Sequence, residues 1–231
     1  MGKIQVDERL QHIAFIMDGN GRWAKKRGMP REYGHTVGAK TFERVVRYCG
    51  DIGIRVVTVY AFSTENWRRP QNEVQAIMGL FRDYIDRAVK KSEEYQIHTV
   101  FLGDKSIFPD DLRERMEALE RNTAHHPLTL NIAINYGGRD EIVHAVNTLI
   151  AQGKTEITED DISANLYTSH CPPPDLIVRT GSEQRLSNFL LWQAAYAEFY
   201  FCDTLWPDMD DAAVDAAVEA FYARKRRFGG V

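Results

Sequence analysis

The stretch HIAFIMDGNGRWAKKRG, residues 12–28, gives the strongest single indication of the fold. A largely apolar run over residues 12–17 stops at Asp18, and two glycines, Asn20, an arginine and a tryptophan follow. A short apolar run bounded by polar residues and glycines is typical of a buried strand. In α/β sheets, ligands bind beyond the carboxyl ends of the strands. The stretch therefore predicts a buried first strand that ends at a binding site.

The rest of the chain continues this alternation of short apolar runs with helical patterns. The further predicted strands are residues 55–62, 98–102, 128–135 and 176–178. The predicted helices are residues 38–49, 70–95, 139–151, 158–166 and 210–226, with a charged helix opened by Pro109. Strands that alternate with helices favour a mostly parallel sheet covered by helices. With no linker, repeat or low-complexity tract, we predict one α/β domain over residues 1–231.

Composition limits the classes of function. The 231 residues carry a net charge of −4, so nothing attracts nucleic acid or anionic lipid in general, and any anion site must be a local cluster. Three cysteines far apart in the sequence favour a reducing compartment. The amino terminus lacks the apolar core of a signal peptide, and no run approaches the length of a membrane span. We therefore predict a cytoplasmic protein that binds no nucleic acid.

The residues after the first predicted strand suit a diphosphate and a metal ion. Glycines let backbone N–H groups turn toward an anion, while Arg22, Arg31 and His35 supply charge and a further donor. Asp18 repels phosphate unless a divalent cation stands between them, and Mg²⁺ typically takes one or two carboxylates plus phosphate oxygens. These residues predict a magnesium-assisted diphosphate site. A strand, a turn and a solvated basic helix remain the alternative.

Polar segments also follow two other predicted strands, where they would reach the same edge of the sheet. Residues 63–69, STENWRR, come after the second strand, and residues 179–188, RTGSEQRLSN, come after a late one. The first could be a capping loop before a proline-started helix, and the second could be ordinary surface charge. Glu198 lies in an apolar, aromatic segment, so its carboxylate must be paired, solvated at an edge, or bound to a metal. The glycine-rich nucleotide loops are absent, so a nucleotide is not indicated.

Taken together, these segments resemble the cis-prenyltransferase family. The resemblance is carried by HIAFIMDGNGRWAKKRG, YAFSTENWRRP, LTLNIAINYGGRDEI, RTGSEQRLSNFLLWQAAYAEFYF, LWPD and RRFGG, which begin at residues 12, 60, 128, 179, 205 and 226. It implies a homodimeric α/β enzyme with a six-stranded, mostly parallel sheet and an apolar tunnel between the sheet and the helices. By family position, Ala61 lies near the tunnel entrance and Leu128 near its floor.

The resemblance also implies a reaction. Isopentenyl diphosphate is condensed repeatedly onto an allylic diphosphate, expected to be farnesyl diphosphate, and each new double bond is cis. The implied product is a long-chain polyprenyl diphosphate, undecaprenyl diphosphate by expectation, which serves as lipid carrier for cell-wall glycan synthesis. A lipid product implies peripheral contact with a membrane. A non-catalytic prenyl-diphosphate-binding subunit of a heteromeric complex remains the alternative.

Site residues follow from the same motif positions. The resemblance implies Asp18 and Glu198 as magnesium ligands, Asp18 and Asn66 as catalytic residues, and Asn66 as the position often assigned to proton acceptance. The implied allylic-diphosphate pocket is Gly19, Asn20, Gly21, Arg22, Trp23, Arg31, His35 and Arg69. The implied covering loop is Ser63, Thr64, Glu65 and Trp67, together with Asn66. The implied isopentenyl-diphosphate pocket is Arg179, Arg185, Leu186 and Ser187.

Two further expectations concern the ends of these motifs. Many bacterial members of the family carry a metal-associated histidine where this chain has Gln184, so no third protein ligand is expected. The terminal segment Arg227-Phe228-Gly229 matches one that reaches into the partner's site.

Overall fold

A central six-stranded sheet organises residues 4–224, the part of the chain that the computed structural model describes. The strands are β1 His12–Ile16, β2 Val56–Ser63, β3 Ile97–Leu102, β4 Leu128–Tyr136, β5 Leu176–Arg179 and β6 Glu198–Phe201. Their order across the sheet is β3-β4-β2-β1-β5-β6, and each neighbouring pair is parallel. The predicted fold class, a mostly parallel α/β sheet flanked by helices, is confirmed.

Helices cover the sheet. They are α1 Asn20–Lys26, α2 Arg31–Asp51, α3 Gln71–Lys90, α4 Ser92–Tyr95, α5 Asp110–Thr123, α6 Gly138–Ala151, α7 Glu159–Ala164 and α8 Asp211–Tyr222. Short 3-10 helices occupy Thr64–Arg68, Lys105–Ile107, Gln193–Tyr196 and Trp206–Asp208. No helix within residues 4–224 combines the length and the apolar character needed to cross a membrane.

Side chains of β1 alternate between two hydrophobic layers, as the two-residue period of a strand requires. Ile13 and Phe15 pack with α2, α3, α5 and α8 in the larger layer. Ala14 and Ile16 belong to the smaller layer on the other face. All five residues of β1 are buried, which explains why its sequence reads as a continuous apolar run rather than an alternating one.

Parallel pairing brings the predicted polar segments to one edge. β2, β1 and β5 are neighbours, so the residues that follow their carboxyl ends meet above the sheet. These are the segments that begin at Asp18, Ser63 and Arg179. The topology thus collects side chains that are more than a hundred residues apart in the sequence.

Some predicted boundaries were wrong. Helix α1 was named only in the alternative of a solvated basic helix. Helix α2 begins at Arg31 rather than residue 38, and the helix predicted over residues 70–95 is divided into α3 and α4. Glu198 begins β6, the sixth strand that the resemblance implies but that the residue pattern did not locate. The segment Arg227-Phe228-Gly229, which was expected to reach into the partner's site, lies outside the described residues.

Candidate active site

A cavity of about 630 Å³ opens at the carboxyl edge of the sheet. Its wall is formed by the ends of β1, β2 and β5 and by α1, α2 and α3. The predicted site residues that line it are Asp18, Gly19, Asn20, Gly21, Arg22, Arg31, His35, Ser63, Glu65, Asn66, Arg69, Arg179 and Ser187. The structure therefore brings most of the predicted site together in one place.

Asp18 lies between two arginines. Its Oδ2 accepts a hydrogen bond of 3.0 Å from Nη2 of Arg179, and its Oδ1 lies 3.2 Å from Nη2 of Arg22. Arg179 is only 4% exposed, and its Nη1 donates to Oγ of Ser187 at 2.7 Å and to the carbonyl of Arg185. Its Nε is buried without a partner among the described residues. A buried guanidinium with a spare donor suits an oxyanion ligand.

A second group of side chains, two arginines and a histidine, is held by Glu73, a residue that the sequence did not single out. Its carboxylate is 2% exposed and lies 3.1 Å from Nε of Arg31, 3.1 Å from Nε2 of His35 and 2.9 Å from Nη1 of Arg69. These three partners come from the start of α2 and from the turn before α3. One buried carboxylate therefore fixes three of the side chains that the resemblance assigned to the allylic diphosphate.

Burial sets the protonation states in this group. Burial alone raises the pKa of Glu73, but hydrogen bonds from Arg31 and His35 and the charge of Arg69 outweigh it, so the net pKa is lowered. Glu73 is therefore ionised. For His35 the largest effect is again burial, which lowers the pKa below its usual value despite the neighbouring Glu73. His35 is therefore neutral near pH 7 and acts as a hydrogen-bonding group rather than a cation.

Glycine is required where α1 meets α2. A Cβ on Gly21 would lie 2.7 Å from Cζ of Arg31, so only glycine lets that guanidinium approach the first turn of α1. Gly19, with φ +107°, caps α1 without a side-chain hydrogen bond. The amino end of α1 thus contributes its partial positive charge to the cavity wall.

The segment after β2 is tied down by its own hydrogen bonds. Asn66 Oδ1 accepts a 3.2 Å bond from the backbone N–H of Ser63, which closes a capping box on the 3-10 helix Thr64–Arg68. Glu65 Oε1 accepts a 3.1 Å bond from the side chain of Asn188, a cavity residue that the sequence reasoning missed. The carboxamide oxygen of Asn66 is thus already engaged within its own loop.

Several predicted substrate residues lie outside the cavity wall as described. They are Trp23, Thr64, Trp67, Arg185 and Leu186. The indole of Trp23 donates to Asp208 at 2.6 Å, and that of Trp67 donates to Asn135 at 2.8 Å. The side chain of Arg185 turns to Glu183, although its carbonyl holds Arg179.

Glu198 does not join Asp18 within this chain. It starts β6 and is in register with Leu176, the first residue of β5, whereas Asp18 lies beyond the other end of that strand. At about 3.3 Å per residue, the two carboxylates are more than about 15 Å apart along the strand direction. Glu198 instead pairs with Arg224 at 2.6 Å. The expected two-carboxylate metal site is therefore not formed inside a single chain.

The donors at the cavity fit a magnesium ion with one protein ligand. Asp18 offers carboxylate oxygens at the wall, which is the hard oxygen chemistry that magnesium prefers, and phosphate oxygens and water complete such sites. Within residues 4–224, the one cluster of three potential metal-ligating side chains is Glu93, His125 and His126. Glu93 precedes β3 and the two histidines precede β4, so this cluster lies at the opposite, amino edge of the sheet.

Comparison with known proteins identifies the family. The family model for undecaprenyl diphosphate synthases matches residues 16–229. An isoprenyl transferase of Fusobacterium nucleatum is 52% identical over 222 residues, which cover 96% of this chain and 96% of that protein. A ditrans,polycis-undecaprenyl-diphosphate synthase of Haemophilus ducreyi, described as specific for (2E,6E)-farnesyl diphosphate, is 47% identical and covers 95% of this chain and 94% of that protein.

Solved structures agree with the sequence comparison. Lavandulyl diphosphate synthase from Lavandula x intermedia, crystallised with dimethylallyl diphosphate, superposes with a TM-score of 0.90 at 33% identity. The match covers 96% of this chain and 100% of that one. Because the family model matches most of the chain and the relatives are matched over nearly their whole length, the chain belongs to the undecaprenyl diphosphate synthase family of cis-prenyltransferase enzymes.

Proposed function

We propose that this enzyme condenses isopentenyl diphosphate repeatedly onto farnesyl diphosphate and makes each new double bond cis. The observation that carries the proposal is the charge arrangement of the cavity. The cavity wall holds one group of cations organised by Glu73 and a second centred on Arg179, which also pairs with the carboxylate of Asp18. Two cationic groups suit two diphosphates, and the farnesyl specificity of the Haemophilus relative supports the choice of primer.

The group around Glu73 is suited to the allylic diphosphate. Arg31 and Arg69 reach the cavity from positions fixed by a buried counter-charge, so little entropy is lost when they bind an anion. In the reaction, the allylic carbon–oxygen bond breaks and negative charge builds on the departing diphosphate. Cationic side chains that are already oriented stabilise that charge more strongly in the transition state than in the ground state.

The group around Arg179 is suited to isopentenyl diphosphate. Arg179 donates hydrogen bonds to Oγ of Ser187, to the carbonyl of Arg185 and to the carboxylate of Asp18. Holding the second diphosphate there would keep the isopentenyl double bond next to the allylic carbon, which turns a bimolecular step into a local one. Asn66 lines the same cavity, but an amide is a poor base. We assign it a positioning role and leave the proton to the departing diphosphate or water.

Magnesium is proposed as the metal, with Asp18 as its protein ligand. When bound, it would supply positive charge to the diphosphate oxygens in the way that hard divalent ions do in phosphate chemistry. In the structure, Arg22 and Arg179 both form ion pairs with the carboxylate of Asp18. We therefore expect both arginines to move toward diphosphate oxygens when the site is filled.

The proposal also covers the product, the location of the protein, its oligomeric state and its contact with a membrane. Undecaprenyl diphosphate is the proposed product, and a role as lipid carrier in cell-wall synthesis and a cytoplasmic location follow from that product. A homodimer is supported by exposed apolar side chains on α6, where Val143 and Ile150 are 57% and 58% exposed. Contact with a membrane surface is supported by α1 and its following loop, where Lys25, Lys26 and Met29 are exposed.

The test is incorporation of radiolabelled isopentenyl diphosphate into lipid, with farnesyl diphosphate and magnesium present. We expect long-chain product whose formation depends on both the primer and the metal ion. Binding of both diphosphates without turnover would instead identify the chain as the non-catalytic subunit of a complex. If the reaction required a nucleotide, both the prenyltransferase and the non-catalytic subunit would be excluded.

A further inference from the structure

Residues 187–190, SNFL, form a turn with unusual backbone angles beside the active-site cavity. Ser187, Asn188 and Leu190 have φ angles of +50°, +66° and +43°. This left-handed region is unfavourable for residues that carry a Cβ atom, and asparagine tolerates it better than leucine. Backbone strain of this kind persists only where surrounding contacts impose it, and it is concentrated at ligand-binding sites. The contacts of this turn therefore show what its conformation achieves.

The second half of the turn is fixed in the core. Phe189 and Leu190 are completely buried in the smaller hydrophobic layer. The ring of Tyr60 on β2 stacks on Phe189 with centroids 4.5 Å apart, and its hydroxyl donates a 3.3 Å hydrogen bond to the carbonyl of Ser187. These contacts hold the first half of the turn, Ser187 and Asn188, at the cavity wall.

Asn188 also caps helix α6, which begins without a side-chain cap from its own segment because the preceding residue is Gly137. The backbone carbonyl of Asn188 accepts a 2.7 Å bond from the N–H of Gly138, and its Oδ1 accepts a 2.9 Å bond from the N–H of Arg139. Both N–H groups belong to the first turn of α6, where no intrahelical partner exists. The carboxamide oxygen is thus committed to the helix, and the amide nitrogen is left to donate elsewhere.

That nitrogen bonds to the segment after β2. Nδ2 of Asn188 donates a 3.1 Å hydrogen bond to Oε1 of Glu65. An ideal Cβ on Gly137 would lie 2.7 Å from the same Nδ2 and 3.0 Å from Oγ1 of Thr64, so glycine at this position lets the two segments meet. Both ends of the bond, Glu65 and Asn188, line the active-site cavity.

Glu65 accepts this bond as a carboxylate. Burial raises the pKa of Glu65, but hydrogen bonds from its own backbone N–H and from neighbouring side chains, Asn188 among them, outweigh burial, and the net pKa is lowered. An ionised carboxylate can only accept hydrogen bonds. A second carboxylate in place of the Asn188 amide would therefore repel Glu65, although it could still cap α6.

We propose that Asn188 is a positioning residue that couples the isopentenyl-diphosphate pocket to the covering loop through its bond to Glu65, an inference that rests on the proposed function. On one side, the neighbouring Ser187 accepts a 2.7 Å bond from Arg179. On the other, Glu65 belongs to the 3-10 helix Thr64–Arg68, which carries Asn66 into the cavity. One amide thus keeps the turn and the loop in a single mutual arrangement, so less conformational entropy is lost when the second diphosphate binds.

The test exchanges the donor and the acceptor of this bond. Asn188→Asp keeps a side chain that tolerates the left-handed conformation and caps a helix, but it places two carboxylates together. We expect KM for isopentenyl diphosphate to rise at least about 10-fold, with a much smaller change in KM for farnesyl diphosphate. Adding Glu65→Gln supplies a donor that faces the new carboxylate, and this double variant should recover most of the loss. If Asn188→Asp does not fold, Glu65→Ala breaks the same bond without altering the turn and should raise the same KM.

A matched control has the same chemistry elsewhere. Asn72 donates to Oε1 of Glu32, and neither residue is among those described at the cavity wall. Asn72→Asp should leave KM for isopentenyl diphosphate near its parent value. A merely structural role of Asn188 in the turn or in the α6 cap would lower activity in Asn188→Asp but would not be rescued by Glu65→Gln.

Amide hydrogen exchange tests the coupling without turnover. In Asn188→Asp, amides of residues 63–68 should exchange at least about 10-fold faster while those of α6 stay protected, and Glu65→Gln should restore the slow exchange. Parent-like KM and exchange in Asn188→Asp, or no rescue in the double variant, would overturn the proposal. If the exchange pattern appears as expected but the parent enzyme incorporates no isopentenyl diphosphate, the contact between the two segments stands and the proposed function is rejected.

Discussion

Glu73 shows how one buried carboxylate can orient a whole group of binding side chains. Its two oxygens contact Arg31, His35 and Arg69, and its own exposure is 2%. A buried carboxylate of this kind is stable only because its cationic partners compensate for the loss of water. Those partners in turn lose their orientation if the charge is removed. We therefore expect Glu73 to be a positioning residue that acts through the side chains proposed to bind the allylic diphosphate.

Replacing that charge should weaken the primer more than the second substrate. In Glu73→Gln the shape is kept, but charge-assisted hydrogen bonds worth about 1.5 to 3 kcal/mol are lost, so KM for the allylic diphosphate should rise about 10- to 100-fold. KM for isopentenyl diphosphate should change much less. Steady-state kinetics with each substrate varied in turn measure the difference. Glu32→Gln, on the neighbouring helix outside the cavity wall, is the control and should leave both constants near their parent values.

Replacing Asp18 should lower turnover rather than weaken substrate binding, because Asp18 is the proposed ligand of the metal ion. Asp18→Asn keeps a hydrogen-bond acceptor for Arg179 but removes the negative charge, so the fold should survive. We expect kcat to fall by at least about 10³, roughly 4 kcal/mol of transition-state stabilisation. Single-turnover rates across a magnesium titration are the measurement, with circular dichroism as the check on folding. Near-parent turnover at saturating magnesium would contradict the assignment.

Sequence reasoning anticipated the cavity lining where the motif and the sheet edge coincide. Asp18, Arg31 and Arg179 were predicted because they follow strands or belong to a recognisable motif, and the cavity contains them. Glu73 was missed because it lies in the first turn of the helix that follows Pro70. Glutamate is common at that position in helices, so it carries no sign of burial. Glu198 was expected at the metal site from its motif position alone, and a single sequence does not reveal that it begins an edge strand at the end remote from Asp18.

At the scale of elements, the packing of α1 on α2 positions the residues that follow β1 at the cavity wall. An ideal Cβ on Gly34 of α2 would lie 2.1 Å from the carbonyl oxygen of Asn20, the first residue of α1. Only glycine allows this approach. Because glycine lowers helix propensity, Gly34 and Gly38 also explain why the helix was predicted to begin at residue 38 rather than at Arg31.

Gly34→Ala should therefore push α1 away from α2. We expect a loss of about 1 to 3 kcal/mol in the free energy of unfolding, together with weaker binding of the allylic diphosphate. Gly79→Ala on α3 is the matched control, because nothing lies within 4 Å of its Cβ position. That change should be neutral or stabilise by up to about 1 kcal/mol. Urea unfolding and substrate titration of both variants test the pair; equal stability losses would refute the close-packing explanation.

Other elements were predicted or missed for physical reasons. Strands β2 and β4 were found because they are rich in β-branched residues and buried almost throughout. Helix α1 was missed because its seven residues, NGRWAKK, show no apolar periodicity. Strand β6, EFYF, was missed because its four residues are half-buried at the sheet edge, and aromatic residues there do not distinguish a strand from a loop.

At the scale of the whole molecule, stability should depend on a histidine in the central strand. His12 is fully buried in β1, and its ring nitrogens lie 2.7 Å from the carbonyl of Pro172 and 2.7 Å from Oγ1 of Thr58. Burial, only partly offset by the bond to Pro172 and the charge of Asp175, lowers the pKa of His12 from 6.5 to about 4. The folded protein therefore keeps this ring neutral well into the acidic range.

Acidification should consequently destabilise the fold through this residue. Above pH 6.5 His12 is neutral in both states and has no effect. Between pH 6.5 and about 4 the unfolded chain binds a proton that the folded chain rejects, so the free energy of unfolding falls by up to about 3 kcal/mol. Chemical unfolding at pH 7 and pH 4.5 measures the loss in the parent protein and in His12→Gln. The variant should lose less between the two pH values, and identical losses would rule out His12 as the cause.

The strand order also affects when the active site is completed as the protein is made. β1 is the first strand in the sequence but lies in the middle of the sheet, and Asp18 meets Arg179 across 161 residues. A ribosome must therefore release most of the chain before that contact can form, and parallel pairing over such separations is slow. During refolding we expect helical content to return first and catalysis last. Enzyme activity is then a late marker of folding, and a chain cut short before β5 cannot form the Asp18–Arg179 contact however much of its sheet it assembles.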